Sequence, residues 1–120
     1  RRAEFVGYRN DVRPYYRRAT FVCLTSSFEG LPMSLLEGEQ YGAIPVTYDS
    51  YASAREITRN GEAGILVPSF SKRQYVKQLM AAMLDEAAQV RMRELGYRQV
   101  ENYKLDIIGA QWLRLFKDLH

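Results

Sequence analysis

Two glutamates, Glu29 and Glu37, are separated by seven residues and stand on either side of a glycine-proline turn. Glu29 precedes Gly30, Leu31 and Pro32, and Glu37 falls inside the helix that we predict for residues 32–41. The first N–H groups of a helix have no partner within it and attract anions, and a glycine lets a ligand approach the backbone. A phosphate bound by these N–H groups, with a carboxylate on each side to accept hydrogen bonds from hydroxyls, suits a sugar nucleotide.

Both glutamates also have purely structural interpretations. A carboxylate beside the first turn of a helix, as Glu29 is, stabilises the helix dipole by roughly 0.3–1 kcal/mol without binding anything. Glu37 lies among apolar helix residues, so we expect it to be partly buried and to need a partner. That partner is either an arginine such as Arg55 or a ribose diol, and the spacing favours neither. The neighbouring Glu39 is expected to be a solvated surface residue.

The residues around these glutamates alternate between short apolar runs and helical patterns. We expect strands at residues 3–8, 20–25, 44–48 and 64–67, and helices at 11–18, 32–41, 53–59, 71–84, 85–103 and 105–119. Short βα units of this kind predict an α/β fold, with a parallel sheet covered by helices on both faces. Asp11 is expected to cap the first helix, Cys23 to be buried in its strand, and Trp112 to anchor the last helix in the core.

Three loops are predicted to follow the carboxyl ends of strands, at residues 26–31, 49–52 and 68–71. In an open α/β sheet, ligands bind outside the carboxyl ends of the strands. The first loop carries Glu29, and the second, with the residue that follows it, carries Asp49, Ser50, Tyr51 and Ser53. We therefore expect the three loops to line one cleft.

Composition limits the classes of function. The chain has 120 residues, 47% of them hydrophobic, which is enough for one domain. Its net charge of +3 is mild, and no recognised nucleic-acid-binding motif accompanies the basic residues, which argues against nucleic acid binding. A single cysteine suits a reducing compartment, and a lone histidine, His120, with no cysteine cluster argues against a metal site. The chain opens with arginines rather than methionine, and we expect it to be a piece of a longer protein.

Residues 5–67 resemble a known family in several elements that occur in one order. They are an E-x7-E motif at Glu29 and Glu37, a Tyr41-Gly42 helix end, a G-x-P-V-like strand at residues 43–46, a polar loop at 49–53, the Glu56-Ile57 pair, and an N-G-x-x-G-x-L-V strand at 60–67. The chain is similar to the nucleotide-sugar-binding half of the retaining glycosyltransferases of family 4, which have the GT-B fold. The resemblance implies a Rossmann-like sheet, within which residues 1–67 form βα units and residues 68–120 a helical tail.

The resemblance also implies roles for the site residues. Glu29 would be the catalytic residue, contacting donor-sugar hydroxyls and supporting the charge of the transition state, and Glu37 would bind the ribose hydroxyls. The sugar and diphosphate would face the backbone N–H groups of Gly30, Leu31, Met33 and Ser34. No metal or other cofactor is expected, and the donor substrate would be a nucleoside-diphosphate sugar, with UDP favoured over GDP. Gly38 stands where the family usually has alanine.

By the same resemblance, the chain would be the donor-binding part of a bacterial enzyme of surface polysaccharide synthesis. Its acceptor, a saccharide or a lipid-linked saccharide, would bind through an N-terminal domain that this chain lacks, so we expect the chain alone to be inactive. The location would be cytoplasmic, and a peripheral contact with the inner face of the cell membrane would be compatible with it. Two alternatives remain open: a GT-B nucleotide-sugar 2-epimerase, and a non-catalytic α/β module whose basic helices bind a partner or a membrane.

Overall fold

A computed structural model describes residues 2–120, and within them a three-stranded parallel sheet lies between helices, as the sequence predicts. The strands β1 (Phe21–Leu24), β2 (Ile44–Tyr48) and β3 (Ile65–Val67) are adjacent in chain order. Val46 pairs with Cys23 on one side and with Ile65 on the other. Because all strands run the same way, their carboxyl ends and the loops that follow them meet at one edge of the sheet.

Six α-helices accompany these strands. They are α1 (Arg13–Arg18), α2 (Met33–Gln40), α3 (Ala52–Ile57), α4 (Lys72–Met83), α5 (Glu86–Val100) and α6 (Leu105–Asp118), with a 3₁₀ turn at Glu101–Tyr103. Capping residues set several of the boundaries. The hydroxyl of Ser71 accepts a hydrogen bond from the N–H of Gln74 (3.3 Å), and the carboxylate of Asp85 accepts one from the N–H of Ala88 (2.9 Å). Past the end of α2, Gly42 adopts a positive φ of 85°, which favours glycine.

The two faces of the sheet carry separate cores. On one face, Val46, Tyr48, Ile65 and Val67 pack against α4, and Phe21 from β1 extends this cluster. On the other face, α2 and α3 contribute the buried side chains Leu35, Leu36 and Ile57. Half-buried side chains of β1 and of the end of α5 pack against them: Val22, Leu24 and Val100. The sheet is therefore covered on both sides, and α2, which carries Glu37, is fixed against β1.

The strand predicted at residues 3–8 is wrong. Residues 2–9 have no regular secondary structure, and Phe5 and Tyr8 are exposed. Extended backbone becomes a strand only when a neighbouring strand accepts and donates its hydrogen bonds, and none lies beside this segment in the described chain. The cap predicted at Asp11 is also shifted: α1 begins at Arg13 with Val12 at its N-cap, while the Asp11 carboxylate accepts a hydrogen bond from the Arg13 N–H (3.1 Å).

Two residues expected in the core are exposed. Cys23 is exposed: its strand, β1, lies at the edge of the sheet, where no described element covers its side chain. Trp112 is 53% exposed and contacts Phe116 on its own helix (ring centroids 5.6 Å apart), and no residue of α6 is buried. The helix predicted from this apolar stripe is confirmed as α6, but the prediction that Trp112 anchors it in the core is wrong.

Candidate functional site

The N-terminus of α2 lies at the carboxyl edge of the sheet, just after β1. Pro32 is its N-cap, and the Pro32 carbonyl accepts hydrogen bonds from the N–H groups of Leu35 (3.1 Å) and Leu36 (3.4 Å). The N–H groups of Met33 and Ser34 have no acceptor among residues 2–120. These free donors, at the positive end of the helix dipole, can bind an anion.

The loop before α2 is open to a ligand at Gly30. A Cβ atom placed on Gly30 would meet no other atom within 4 Å, so the space beside its backbone is free. Leu31 is exposed, and neither the Gly30 nor the Leu31 N–H is bonded to a described residue. The backbone donors expected from the sequence, at Gly30, Leu31, Met33 and Ser34, thus lie at one exposed turn.

Two serines of the loop after β2 hold this turn in place. The Ser53 hydroxyl, almost buried at the start of α3, donates to the Gly30 carbonyl (2.6 Å). The Ser50 hydroxyl donates to the Ser26 carbonyl (3.2 Å). These bonds bring the first two of the three predicted loops together. The sequence predicts that both serines lie on a loop at the cleft, but no sequence pattern indicates the carbonyl groups to which they donate.

The third predicted loop is joined to the second. The Ser69 hydroxyl donates to the Asp49 carbonyl, and the Asp49 N–H donates to the carbonyl of Val67 (2.7 Å). The carboxylate of Asp49 accepts three hydrogen bonds from the Arg55 guanidinium, two of 2.9 Å and one of 3.2 Å, and these lower the pKa of Asp49 below its usual range. Arg55 is therefore bound to Asp49 and is not the partner of Glu37, which removes one of the two partners proposed for that carboxylate.

Glu37 is half-buried, and it faces α1 across a groove of about 370 Å³. Tyr16 of α1 lines this groove, and its pKa is raised by burial and further by the nearby Glu37 carboxylate. Within the described chain, no arginine or lysine forms an ion pair with Glu37. The Glu37 carboxylate interacts with the Tyr16 hydroxyl, and its remaining lone pairs can accept hydrogen bonds from a ligand. Tyr16 was not identified from the sequence, where nothing links it to Glu37.

Glu29 is half-buried on the other side of the turn, towards α3. Tyr51, at the start of α3, is buried and shares a hydrogen bond with the Thr47 hydroxyl (2.6 Å). Burial raises the pKa of Tyr51, and the Glu29 carboxylate raises it further. Glu29 thus borders the α3 side of the α2 N-terminus, and Glu37 borders the α1 side.

Helix α2 is held very close to the sheet by Gly38. A Cβ atom at this position would lie 2.6 Å from Cγ1 of Val22 on β1, which is closer than real Cβ contacts come. The glycine that departs from the alanine usual in the family therefore has a steric reason. It sets the depth of the helix that carries Glu37.

The prediction for Glu39 is wrong. Glu39 is 1% exposed, at the interface between α2 and α5, and not on the surface. It lies three residues after Leu36 and four after Leu35, both buried, so helical periodicity contained the signal for its burial. Its charge argued for the surface, and packing against α5 overrode that preference.

Residues 2–120 offer neither a cluster of metal ligands nor a helix suited to a membrane. They contain no group of three or more histidine, cysteine, aspartate or glutamate side chains placed to hold a metal ion. Among their helices, none combines the length and apolar character that crossing a membrane requires.

Known proteins match this chain over most of its length. A family model described as "Glycosyl transferases group 1" matches residues 1–99. The chain is 23% identical over 118 residues to a Campylobacter jejuni protein named GalNAc-alpha-(1->4)-GalNAc-alpha-(1->3)-diNAcBac-PP-undecaprenol alpha-1,4-N-acetyl-D-galactosaminyltransferase. It is 26% identical over 110 residues to the amylovoran biosynthesis glycosyltransferase AmsD of Erwinia amylovora. These matches cover 98% and 92% of this chain, but only 33% and 31% of the two relatives.

A solved structure shares the fold. The C-terminal domain of the glycosyl transferase group 1 family protein LpcC from Francisella tularensis superposes with a TM-score of 0.71 at 24% identity, covering 86% of this chain and 53% of that one. The family match to residues 1–99 and the shared fold agree with the motifs around Glu29 and Glu37. The chain belongs to the group 1 glycosyl transferases and has the α/β fold of their C-terminal domain.

Proposed function

We propose that this chain is the donor-binding part of a retaining glycosyltransferase. The full-length protein would transfer a sugar from a nucleoside-diphosphate sugar to a saccharide or lipid-linked acceptor during synthesis of a surface polysaccharide. The observation that carries the proposal is the exposed turn of free N–H groups at the N-terminus of α2, with one carboxylate on each side. A diphosphate fits the N–H groups, and hydroxyls of a sugar and a ribose fit the carboxylates.

The roles divide along the ligand. The diphosphate would accept hydrogen bonds from the N–H groups of Met33 and Ser34, with Gly30 and Leu31 facing the donor sugar. Glu37 would accept hydrogen bonds from the ribose diol in its groove beside α1. Glu29 would accept hydrogen bonds from donor-sugar hydroxyls, and its negative charge would stabilise the positive charge that develops on the sugar ring in the transition state.

The names of the relatives support the acceptor class. The C. jejuni relative is named for an undecaprenol-linked saccharide, and the E. amylovora relative for amylovoran biosynthesis. We extend to this protein the use of a saccharide or lipid-linked acceptor, bound by a part of the full-length protein outside this chain. The proposal also includes UDP in preference to GDP, a cytoplasmic location in keeping with the lone cysteine, and a peripheral contact with the inner face of the membrane.

The test is an NMR titration of the ¹⁵N-labelled chain with UDP, GDP, UDP-glucose and UDP-galactose. We expect amide shifts centred on residues 30–37, larger for the UDP ligands than for GDP. Glu37→Gln should weaken binding of UDP and of UDP-glucose about tenfold, because both contain the ribose and a hydrogen bond to a charged group contributes roughly 1.5–3 kcal/mol. Glu29→Gln should weaken UDP-glucose and leave UDP unchanged, because only the former carries the sugar.

The matched control is Glu94→Gln, which removes an exposed carboxylate on α5, away from the turn. It should bind each nucleotide as the unaltered chain does. The assignment is wrong if Glu29→Gln and Glu37→Gln also leave every affinity unchanged, or if the shifts fall outside the loops at the carboxyl edge. Analysis of the product made by the full-length protein would separate sugar transfer from epimerisation.

A further inference from the structure

The carboxyl group of Glu39 is buried without a partner. Glu39 is 1% exposed, and neither Oε1 nor Oε2 receives a hydrogen bond from any described residue. Opposite it on α5 is Gly96, where an added Cβ would lie 3.6 Å from Cγ of Glu39 and 3.7 Å from Oε1. The Glu39 side chain thus fills the contact between α2 and α5.

None of the described polar and charged groups around this contact donates a hydrogen bond to the Glu39 carboxyl. On α5, the Arg93 guanidinium donates to the Gly42 carbonyl (3.1 Å), and the Tyr97 hydroxyl lies beside Gly42. On the 3₁₀ turn after α5, the Tyr103 hydroxyl donates to the Glu56 carboxylate of α3. The apolar side chain of Val22 on β1 packs against α2. Burial without a compensating charge raises the pKa of Glu39 to about 8, so the carboxyl is mostly neutral at pH 7.

We propose that Glu39 is a protonation switch for the packing of α5 on α2: the neutral carboxyl keeps the two helices together, and loss of its proton separates them. An unpaired charge at this contact is strongly unfavourable, and water reaches it only if one of the two helices moves. Helix α2 is fixed to the sheet by Leu35 and Leu36, which are 0% and 6% exposed, whereas α5 buries only Gly96 and Gln99. Helix α5 is therefore the one that moves.

This inference concerns packing of the isolated chain and does not depend on the proposed function. The experiment is a ¹³C NMR titration of the chain from about pH 4 to pH 10, following the Glu39 carboxyl carbon and the Gly96 Cα, which amide exchange does not broaden. We expect the Glu39 carbon to titrate near pH 8, well above ordinary glutamates, and the Gly96 Cα to shift with the same midpoint. In Glu39→Gln, the Gly96 transition should disappear.

Three outcomes overturn the proposal. The first is a Glu39 carbon that titrates like an exposed glutamate, the second a Gly96 Cα that stays constant while Glu39 titrates, and the third a Gly96 transition that persists in Glu39→Gln. Glu94→Gln, an exposed carboxylate removed from the same helix, is the control and should keep the transition. Should Glu39→Gln fail to fold, Glu39→Met fills the same space without a polar group and should likewise abolish the Gly96 transition.

Discussion

Replacing Gly38 by alanine tests how closely α2 is packed on the sheet. Within a helix, alanine is favoured over glycine by about 1 kcal/mol, so propensity alone predicts that Gly38→Ala stabilises the protein. The structure predicts the opposite, because the new Cβ would lie 2.6 Å from Cγ1 and 3.1 Å from Cβ of Val22. Val22 is β-branched and sits in a strand, so its side chain has little freedom to turn away.

The size of the effect follows from these two opposing contributions. Overpacking of a well-filled core costs about 1–3 kcal/mol, from which the helix preference for alanine recovers about 1 kcal/mol. We therefore expect the free energy of unfolding to fall by up to about 2 kcal/mol. The assay is urea unfolding followed by far-UV circular dichroism near pH 6, where the Glu39 carboxyl is neutral.

Gly96→Ala is the matched control, a second buried glycine inside a helix. An added Cβ there has its nearest contact at 3.6 Å, an ordinary van der Waals distance, so the variant should gain about 0.5–1 kcal/mol. A double variant, Gly38→Ala with Val22→Ala, should show favourable coupling because the smaller strand residue removes the overlap. If Gly38→Ala instead gains the roughly 1 kcal/mol that helix propensity alone predicts, α2 is not held at the depth described and the reasoning fails.

Three further substitutions test other contacts. Ser53→Ala removes the hydrogen bond to the Gly30 carbonyl (2.6 Å), so the free energy of unfolding should fall by about 1 kcal/mol in urea, and UDP binding measured by NMR should weaken. Because the pKa of Glu39 is raised from 4.5 to about 8, its contribution to the free energy of unfolding is fully present below pH 4.5 and is lost as pH rises through 8. By pH 7 the loss amounts to about 3 kcal/mol in urea unfolding, and Glu39→Met should abolish it. Arg55→Gln should bring the pKa of Asp49 back to its ordinary value in a ¹³C titration, while changing stability by less than about 1 kcal/mol, because the pair is largely exposed.

Each of these has an outcome that would contradict it. For Ser53→Ala, unchanged UDP binding together with an unchanged free energy of unfolding would mean that the hydroxyl does not hold the turn. For Glu39→Met, a pH profile parallel to that of the unaltered chain would mean that another group causes the pH dependence. For Arg55→Gln, the lowered pKa of Asp49 means that the stability contributed by this pair is lost as pH falls through the folded-state pKa. If the substitution leaves the loss of stability at acid pH unchanged, another group causes that loss.

Most elements of the fold could be predicted from local sequence. The strand at Ile44–Tyr48 has the predicted bounds, and the helix after Ser71 ends within a residue of the prediction. These elements depend on apolar periodicity and on caps such as Asp85, whose partners lie within a few residues along the chain. The E-x7-E spacing likewise depends only on local order, and it identified the turn that the structure places at the carboxyl edge of the sheet.

The remaining features depend on residues far apart in the chain. Arg55 pairs with Asp49 and leaves Glu37 beside Tyr16 of α1, a neighbour that no local pattern indicated. Charge alone placed Glu39 on the surface, but helix α5, which is distant in the sequence, covers it.

The exposure of side chains at the sheet edge and in α6 also depends on distant parts of the chain. Cys23 lies on the edge strand β1, where nothing in the described chain covers its side chain, and the apolar stripe around Trp112 has no buried residue. Hydrophobic pattern states which face of an element prefers to be covered, and it contains no information on which distant element covers it. That choice is made by packing, where the shape and position of the neighbour outweigh the preference of the single residue.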